Sequence, residues 1–339
     1  MPRVVYYGKQ KGRRSMEKQL KYMLSMILLT LILICLSIFA VYAGKADLNA
    51  LDANIAKTIF YQIRFPRVLV AIVVGIGLAI SGTLFQALLN NPLADSYTLG
   101  IASGGAFGAI LAMFIGIKVG LYVPIQLSAI AFALLTLLLV LKLAQIKGSM
   151  TQSSLVLAGI IVGSVFSAGL SLLKSLADED VVSMVYWLMG NLASKKLIQI
   201  LPLAIVVVVS LGLALYYSEE LNLITLGKKE ARTMGVDYDR VYKILIVTAS
   251  VVTGYCVAIC GIIAFVGLVV PHLARMLIGA DNRKIIPLAS ILGGLFLLLA
   301  DTMTRTILPH EIPVGVLTTL VGGPFFIYIY LRKRGERCD

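Results

Sequence analysis

Residues 244–278 read ILIVTASVVTGYCVAICGIIAFVGLVVPHLARMLI, an uninterrupted run of 35 residues with one cation and no acid. About twenty residues carry a helix across a hydrocarbon core about 30 Å thick. At about 1.5 Å per residue, one straight helix of this length would reach about 52 Å. The run must therefore break, and Gly261, Gly267 and Pro271 are the places its own residues offer. The break raises the number of membrane crossings from nine to ten and moves the chain's end to the opposite face.

Eight other runs of span length occupy 22–43, 68–89, 97–117, 121–143, 153–173, 197–217, 285–307 and 312–331. The 339-residue chain is 59% hydrophobic and only 14% charged, against about 25% charged in a soluble domain. The apolar residues come in blocks and do not alternate with polar ones, which excludes a membrane β-barrel. The first run is longer than a secretory signal core, although FAVYAGKA (39–46) resembles a cleavage site, so it is read as the first membrane helix. The fold class is an all-α membrane protein of ten helices, the eighth of them short. A basic tail covers 1–21, one membrane-spanning bundle 22–331 and a second tail 332–339.

The net charge is +13, and the cations cluster between the apolar runs. Arg3, Lys9, Lys11, Arg13, Arg14, Lys18 and Lys21 precede the first helix, and Arg332, Lys333, Arg334 and Arg337 follow the last. Both tails then belong in the cytoplasm, which requires an even number of crossings and agrees with ten. No basic face alternates with aromatics, so nucleic acid is excluded as a partner.

With this threading the loop 44–66 is extracytoplasmic. Arg64 and Arg67 flank Pro66 at the outer mouth, against the orientation rule. A single arginine there would be read as snorkelling to the headgroups. Two beside a rigid proline suggest a surface that receives something acidic. Arg305 lies at the same face, four residues after Asp301, a spacing that suits an intrahelical ion pair. On the opposite face, 218–243 (SEELNLITLGKKEARTMGVDYDRVYK) is far longer than a connector needs. Helix-forming KKEARTM between Gly227 and Gly235 predicts a short cytoplasmic helix, either a solvated connector or a docking element. In LNNPLADSYTLG (89–100), Asp95 or Ser96 is expected to cap the third helix. Gly100, Gly104, Gly108, Gly159 and Gly163 predict close helix packing.

Catalytic patterns are missing from the sequence: it has no HExxH, GxSxG or phosphate-binding loop. The acids at 178–180 form a single cluster. His272 and Arg275 share a helix face, and either a proton relay or a packed histidine fits. Cys35, Cys256, Cys260 and Cys338 form no CxxC pair. No metal, cofactor or enzymatic activity is expected. Few ionisable groups lie within the runs, which weighs against an ion-coupled secondary transporter. That alternative and a membrane-embedded enzyme are the readings from other classes.

The chain resembles the FecCD-type permeases of ABC importers. The matching stretches include RFPRVLVAIVVGIGLAISGTLFQALLNNPLADSYTLGIASGGAFGA (64–109), LNLITLGKKEARTMGVD (221–237), FVGLVVPHLARMLIGADNRKIIPLASILGGLFLLLADTMTRTIL (265–308) and EIPVGVLTTLVGGPFFIYIYLRK (311–333). The resemblance implies a subunit of the vitamin B12 importer type in a bacterial cytoplasmic membrane, with a second permease copy or paralogue and two ATPase subunits. An extracytoplasmic binding protein would dock on Arg64, Arg67 and Arg305. The ATPase would seat on Gly227, Glu230, Ala231, Arg232 and Gly235. Gln152 and Ser153 would form the cytoplasmic gate, with Gln152 departing from the small hydroxyl that many relatives carry. The expected cargo is an iron–siderophore, with haem or a cobamide as the alternative.

Overall fold

The computed structural model describes residues 2–44, 52–145, 151–307 and 311–335; at 2–18 and 328–335 it describes the helical backbone only. Of the tail cations only Lys21, which is exposed, lies within the described side chains. Fourteen α-helices follow one another: α1 (Pro2–Tyr42), α2 (Ala53–Thr58), α3 (Phe65–Leu88), α4 (Ile101–Val119), α5 (Ile125–Ala144), α6 (Gln152–Leu176), α7 (Val181–Leu188), α8 (Leu197–Tyr216), α9 (Ser218–Ile224), α10 (Lys228–Thr233), α11 (Tyr238–Cys260), α12 (Val266–Ile278), α13 (Asn282–Thr306) and α14 (Val314–Gly335). Eight helical stretches are long and apolar enough to cross a membrane, and two shorter apolar helices lie at 266–278 and 314–327. Together they make the expected ten among the described residues.

The long run divides at Gly261, whose φ of 73° ends α11. Residues 261–265 are non-helical, and Phe265, also left-handed at φ 68°, opens α12. Glycine suits the first of these positions because it has no Cβ to clash there. Pro271, by contrast, sits inside α12. It removes the N–H that would bond the Gly267 carbonyl. Gln86 Nε2, from α3, supplies the missing donor at 3.2 Å and also bonds the Leu268 carbonyl at 3.1 Å. At 13 residues α12 rises about 20 Å, too short for a full crossing.

The stretch 44–66 is not the plain loop that the sequence suggested. Residues 53–58 form α2, and 59–64 form a π-helical turn leading directly into α3. Pro66 accounts for it: without its N–H the four-back bond to the Gln62 carbonyl cannot form, and the Phe65 N–H reaches five back to the Phe60 carbonyl. A second correction concerns α4, whose N-cap is Gly100 at φ 71°. Asp95 instead accepts from the Tyr97 and Thr98 N–H groups, 3.0 Å each, and braces the turn before the helix.

The centre of the bundle is α3, α11 and α13, and α1, α6 and α8 lie outside it. On α1, Leu24, Ile27, Leu28 and Leu31 are exposed, as are Leu201, Ile205 and Val208 on α8. In water this surface would aggregate; against lipid it is the expected solvent-facing side. Small residues bring the central helices together. A Cβ on Gly75 would strike the Gly293 carbonyl of α13, and one on Gly82 the Gly267 carbonyl of α12. The predicted contacts of Gly100 and Gly159 are real as well: Gly159 lies against the Thr98 and Leu99 backbone.

The helices define two ends. At one, the C-termini of α1 and α13 meet the N-termini of α3 and α14 around the arginines. At the other, α9 and α10 meet the first turns of α11 and α13. The Lys284 ammonium at the start of α13 lies 5.8 Å from the centre of the Tyr22 ring, so α1 runs from the platform end to the arginine end. The last helix, α14, leaves the arginine end, so the bundle has an even number of crossings.

Candidate functional site

The π turn and Pro66 direct Arg64 and Arg67 toward α1 and α13. Arg305 arrives from the last turn of α13. The three expected docking residues do converge, but they are buried: 5%, 8% and 5% of their surfaces are exposed. Arg67 Nε bonds both oxygens of Asp301, at 3.0 and 3.2 Å, and its Nη1 bonds Glu311 Oε2 at 3.0 Å. Arg305 Nε lies 3.5 Å from the same Asp301 carboxylate. The expected pair along α13 therefore exists, and the shorter bond of Asp301 goes to Arg67, 234 residues away in sequence.

The remaining donors close the end of α1. Arg64 Nη1 bonds the Tyr42 carbonyl at 2.6 Å, and Arg305 Nη1 bonds the Ala43 carbonyl at 3.1 Å and its Nη2 the Ala40 carbonyl. A helix leaves its last four carbonyls without partners and concentrates partial negative charge there. Two guanidiniums satisfy both needs. Gly44 makes room for this: a Cβ there would sit 2.7 Å from an Arg64 nitrogen. Among the described residues the cluster carries three cations and two carboxylates, of which Glu311 is half exposed while Asp301 is fully enclosed.

At the opposite end the excursion forms two short helices where one was expected. Asn222 of α9 donates to Asp281 Oδ1 at 2.9 Å and accepts the Asn282 N–H at 2.8 Å. Asp281 itself caps α13 through the Arg283 N–H. Hydrogen bonds from Arg283 and then from Asn222 hold its carboxyl below the usual carboxylate range. Lys228 and Arg232 of α10 both bind Asp239 in the first turn of α11, Lys228 at 2.9 Å. The platform is thus fastened to two of the three central helices.

Of the expected coupling residues, Ala231 is buried beneath α10, while Glu230, Arg232 and Gly235 are exposed. Gly227, at φ 131°, lies under the Glu230 carboxylate, which folds back over its own helix start. Leu226 and Met234, 60% and 59% exposed, stand on the same platform. Large apolar side chains on a polar, non-spanning surface suit a protein partner. The sequence reading missed them because it followed charged and glycine positions; their sequence signal was two apolar residues inside an otherwise polar segment.

The gate pair lies at the start of α6. Thr151 caps that helix with a reciprocal bond to Ser154. Gln152 Nε2 donates to the Leu88 carbonyl at 3.3 Å, closing the end of α3, and Ser153 is exposed. The exposed face of α6 continues with Ser164, Ser167, Ser171 and Ser175. Nearby, the end of α7, the 262–264 break and the start of α14 bound an open apolar cleft of about 380 Å³ lined by Leu188, Met189, Ile262 and Leu320.

A ten-helix bundle with a fastened platform at one end and an ionic cluster at the other is a membrane transport permease. The model of the FecCD transport family matches residues 27–332, and the chain belongs to that family of ABC-importer permeases. It is 38% identical over 282 residues to the cobalamin import system permease protein BtuC of Halobacterium salinarum, covering 83% of this chain and 75% of that one. It is 35% identical to the hemin transport system permease protein HmuU of Yersinia pestis, covering 94% and 98% of the two chains. A solved metal-chelate type ABC transporter in an inward-facing conformation superposes with a TM-score of 0.82 at 33% identity, covering 90% of this chain and 98% of the other.

Proposed function

We propose that this subunit carries a ferric chelate of the iron–siderophore type across a bacterial cytoplasmic membrane. Its arginine end faces outward and both termini lie in the cytoplasm. The observation that carries the reading is the platform, wired through Asn222–Asp281 and Lys228–Asp239 into α13 and α11. Such a fixture transmits an external push to the core as a rigid-body motion. The sequence has no phosphate-binding loop to generate that push itself. The reading therefore includes two separate ATPase subunits, seated on Gly227, Glu230, Ala231, Arg232, Gly235, Leu226 and Met234.

The serines on α6 mark the pathway. Hydroxyls facing lipid gain nothing, whereas a second permease copy or paralogue opposite α6 would enclose them in a polar route. Ser153 and Gln152 stand at its cytoplasmic end as the gate. The apolar cleft at 188–189, 262–264 and 315–320 gives that route a wall suited to a bulky, largely apolar cargo. An acidic binding protein docks at Arg64, Arg67 and Arg305, where opposite charge steers its approach. The metal-chelate transporter at 33% identity supports the ferric chelate. The haem and cobamide reading is supported by the hemin and cobalamin relatives at 35% and 38%.

Uptake into proteoliposomes separates these readings. The complete complex is supplied in turn with binding protein loaded with a ferric siderophore, haem or cobalamin, with and without ATP. ATP-dependent entry of iron–siderophore alone is the expected result. Entry without the ATPase would favour the ion-coupled alternative, and preference for haem or cobalamin would replace the cargo assignment.

A further inference from the structure

We propose that Glu311 is an internal stand-in for the docking partner's carboxylate and must swing away before Arg67 can bind that partner. This rests on the docking reading above and adds the regulation of its site. Arg67 is 8% exposed, so a carboxylate on a foreign protein cannot reach it across an open surface. One carboxylate already reaches it from the surface: that of Glu311, 3.0 Å from Nη1 and 49% exposed. The route to Arg67 is therefore the route that Glu311 fills.

The two carboxylates on Arg67 differ in a way that suits exchange. Asp301 lies on a helical turn of α13 with 1% of its side chain exposed, and it is shared with Arg305. Glu311 lies in the non-helical stretch before α14. Water solvates the half-exposed Glu311 carboxylate when it leaves, and the buried Arg67 guanidinium keeps Asp301 as its partner, so release of Glu311 costs little. An incoming carboxylate that brings further contacts can displace it, while Asp301 holds the guanidinium in place throughout. Displacement also leaves the Glu311 carboxylate at the rim, where it repels acidic groups that arrive out of register. An unoccupied permease thus keeps Arg67 paired with two carboxylates and presents it as a docking cation only to a partner that can take Glu311's place.

The test uses the full transporter in lipid nanodiscs and the fluorescently labelled binding protein of the same transport system. Dissociation constants are measured for wild type, Glu311→Gln, Glu311→Asp and Arg67→Gln at low and at physiological salt. Glu311→Gln is expected to bind about two- to fivefold tighter and to lose more affinity as salt rises. Glu311→Asp should bind as wild type, and Arg67→Gln at least tenfold more weakly. If Arg67→Gln weakens binding while Glu311→Gln leaves it unchanged or weaker, the stand-in role is overturned and docking survives. If neither variant alters binding, both are overturned. A purely structural Glu311 would lower the melting temperature on substitution without any gain in affinity, and that result also overturns the proposal.

Discussion

Asp301 is the residue on which the arginine end depends. It is enclosed, it holds Arg67 by two hydrogen bonds, and it lies within ion-pair distance of Arg305. Removing one member of a buried ion pair leaves its partners charged and unsolvated, at a cost of about 3–5 kcal/mol. Asp301→Ala should therefore lower the melting temperature in detergent sharply, whereas Glu311→Gln, at the surface, should shift it by a degree or two. Equal shifts would contradict the division between a fixed and an exchangeable carboxylate. The same logic argues against charge reversal as the docking test, because Arg67→Glu would place a second buried carboxylate beside Asp301. Gln86 offers another single-residue test. Its amide bonds two carbonyls of α12, one of them orphaned by Pro271. Gln86→Leu should destabilise by about 1–3 kcal/mol, read as a lower unfolding midpoint. These residues also mark where the sequence was hard to read. The i,i+4 spacing of Asp301 and Arg305 explained Asp301 locally and hid Arg67. An acid in an otherwise apolar span was the available signal that a further partner existed. Burial of the arginines was not visible, since it depends on where α1 ends.

Among the elements, the platform is bonded to α13 and α11, and the proposed coupling runs through that joint. Asn222→Ala removes both of its bonds to the start of α13. It should leave ATP hydrolysis by the assembled complex in place while reducing transport severalfold, measured together in proteoliposomes. Met234→Lys should instead weaken association with the ATPase, detectable as loss of co-purification. Acid should loosen the same joint. The Asp281 carboxyl is held below its ordinary 3.8 in the folded protein, so its contribution is complete above that value and is lost as pH falls through the lowered one. Asp281→Asn should flatten this acid dependence of the unfolding midpoint. The elements were mostly legible: apolar run lengths located the ten helices, and the two glycines bracketed α10. The choice among Gly261, Gly267 and Pro271 was not. A proline usually ends a helix, and only a glutamine 185 positions earlier shows why this one does not. The short α2 and the π turn were missed for a related reason, since 53–64 lacks the long apolar pattern of a span.

For the whole molecule, parity is the strongest constraint. Ten crossings put both ends of the bundle at the platform, and the proposed cytoplasmic side of that platform rests on the basic tails. Cargo selection was not legible at this scale, because the proposed route, along the exposed α6 hydroxyls and the apolar cleft, offers bulk and polarity and no group specific to one chelate. Sidedness can be measured directly. In a background with Cys35, Cys256, Cys260 and Cys338 replaced, single cysteines are introduced as Glu311→Cys and Met234→Cys. Intact cells, or spheroplasts where an outer membrane is present, are treated with a membrane-impermeant maleimide. Position 311 should label at once and position 234 only after permeabilisation. Labelling of 234 from outside, with 311 protected until the membrane is opened, would contradict an importer that receives its cargo at the arginine end.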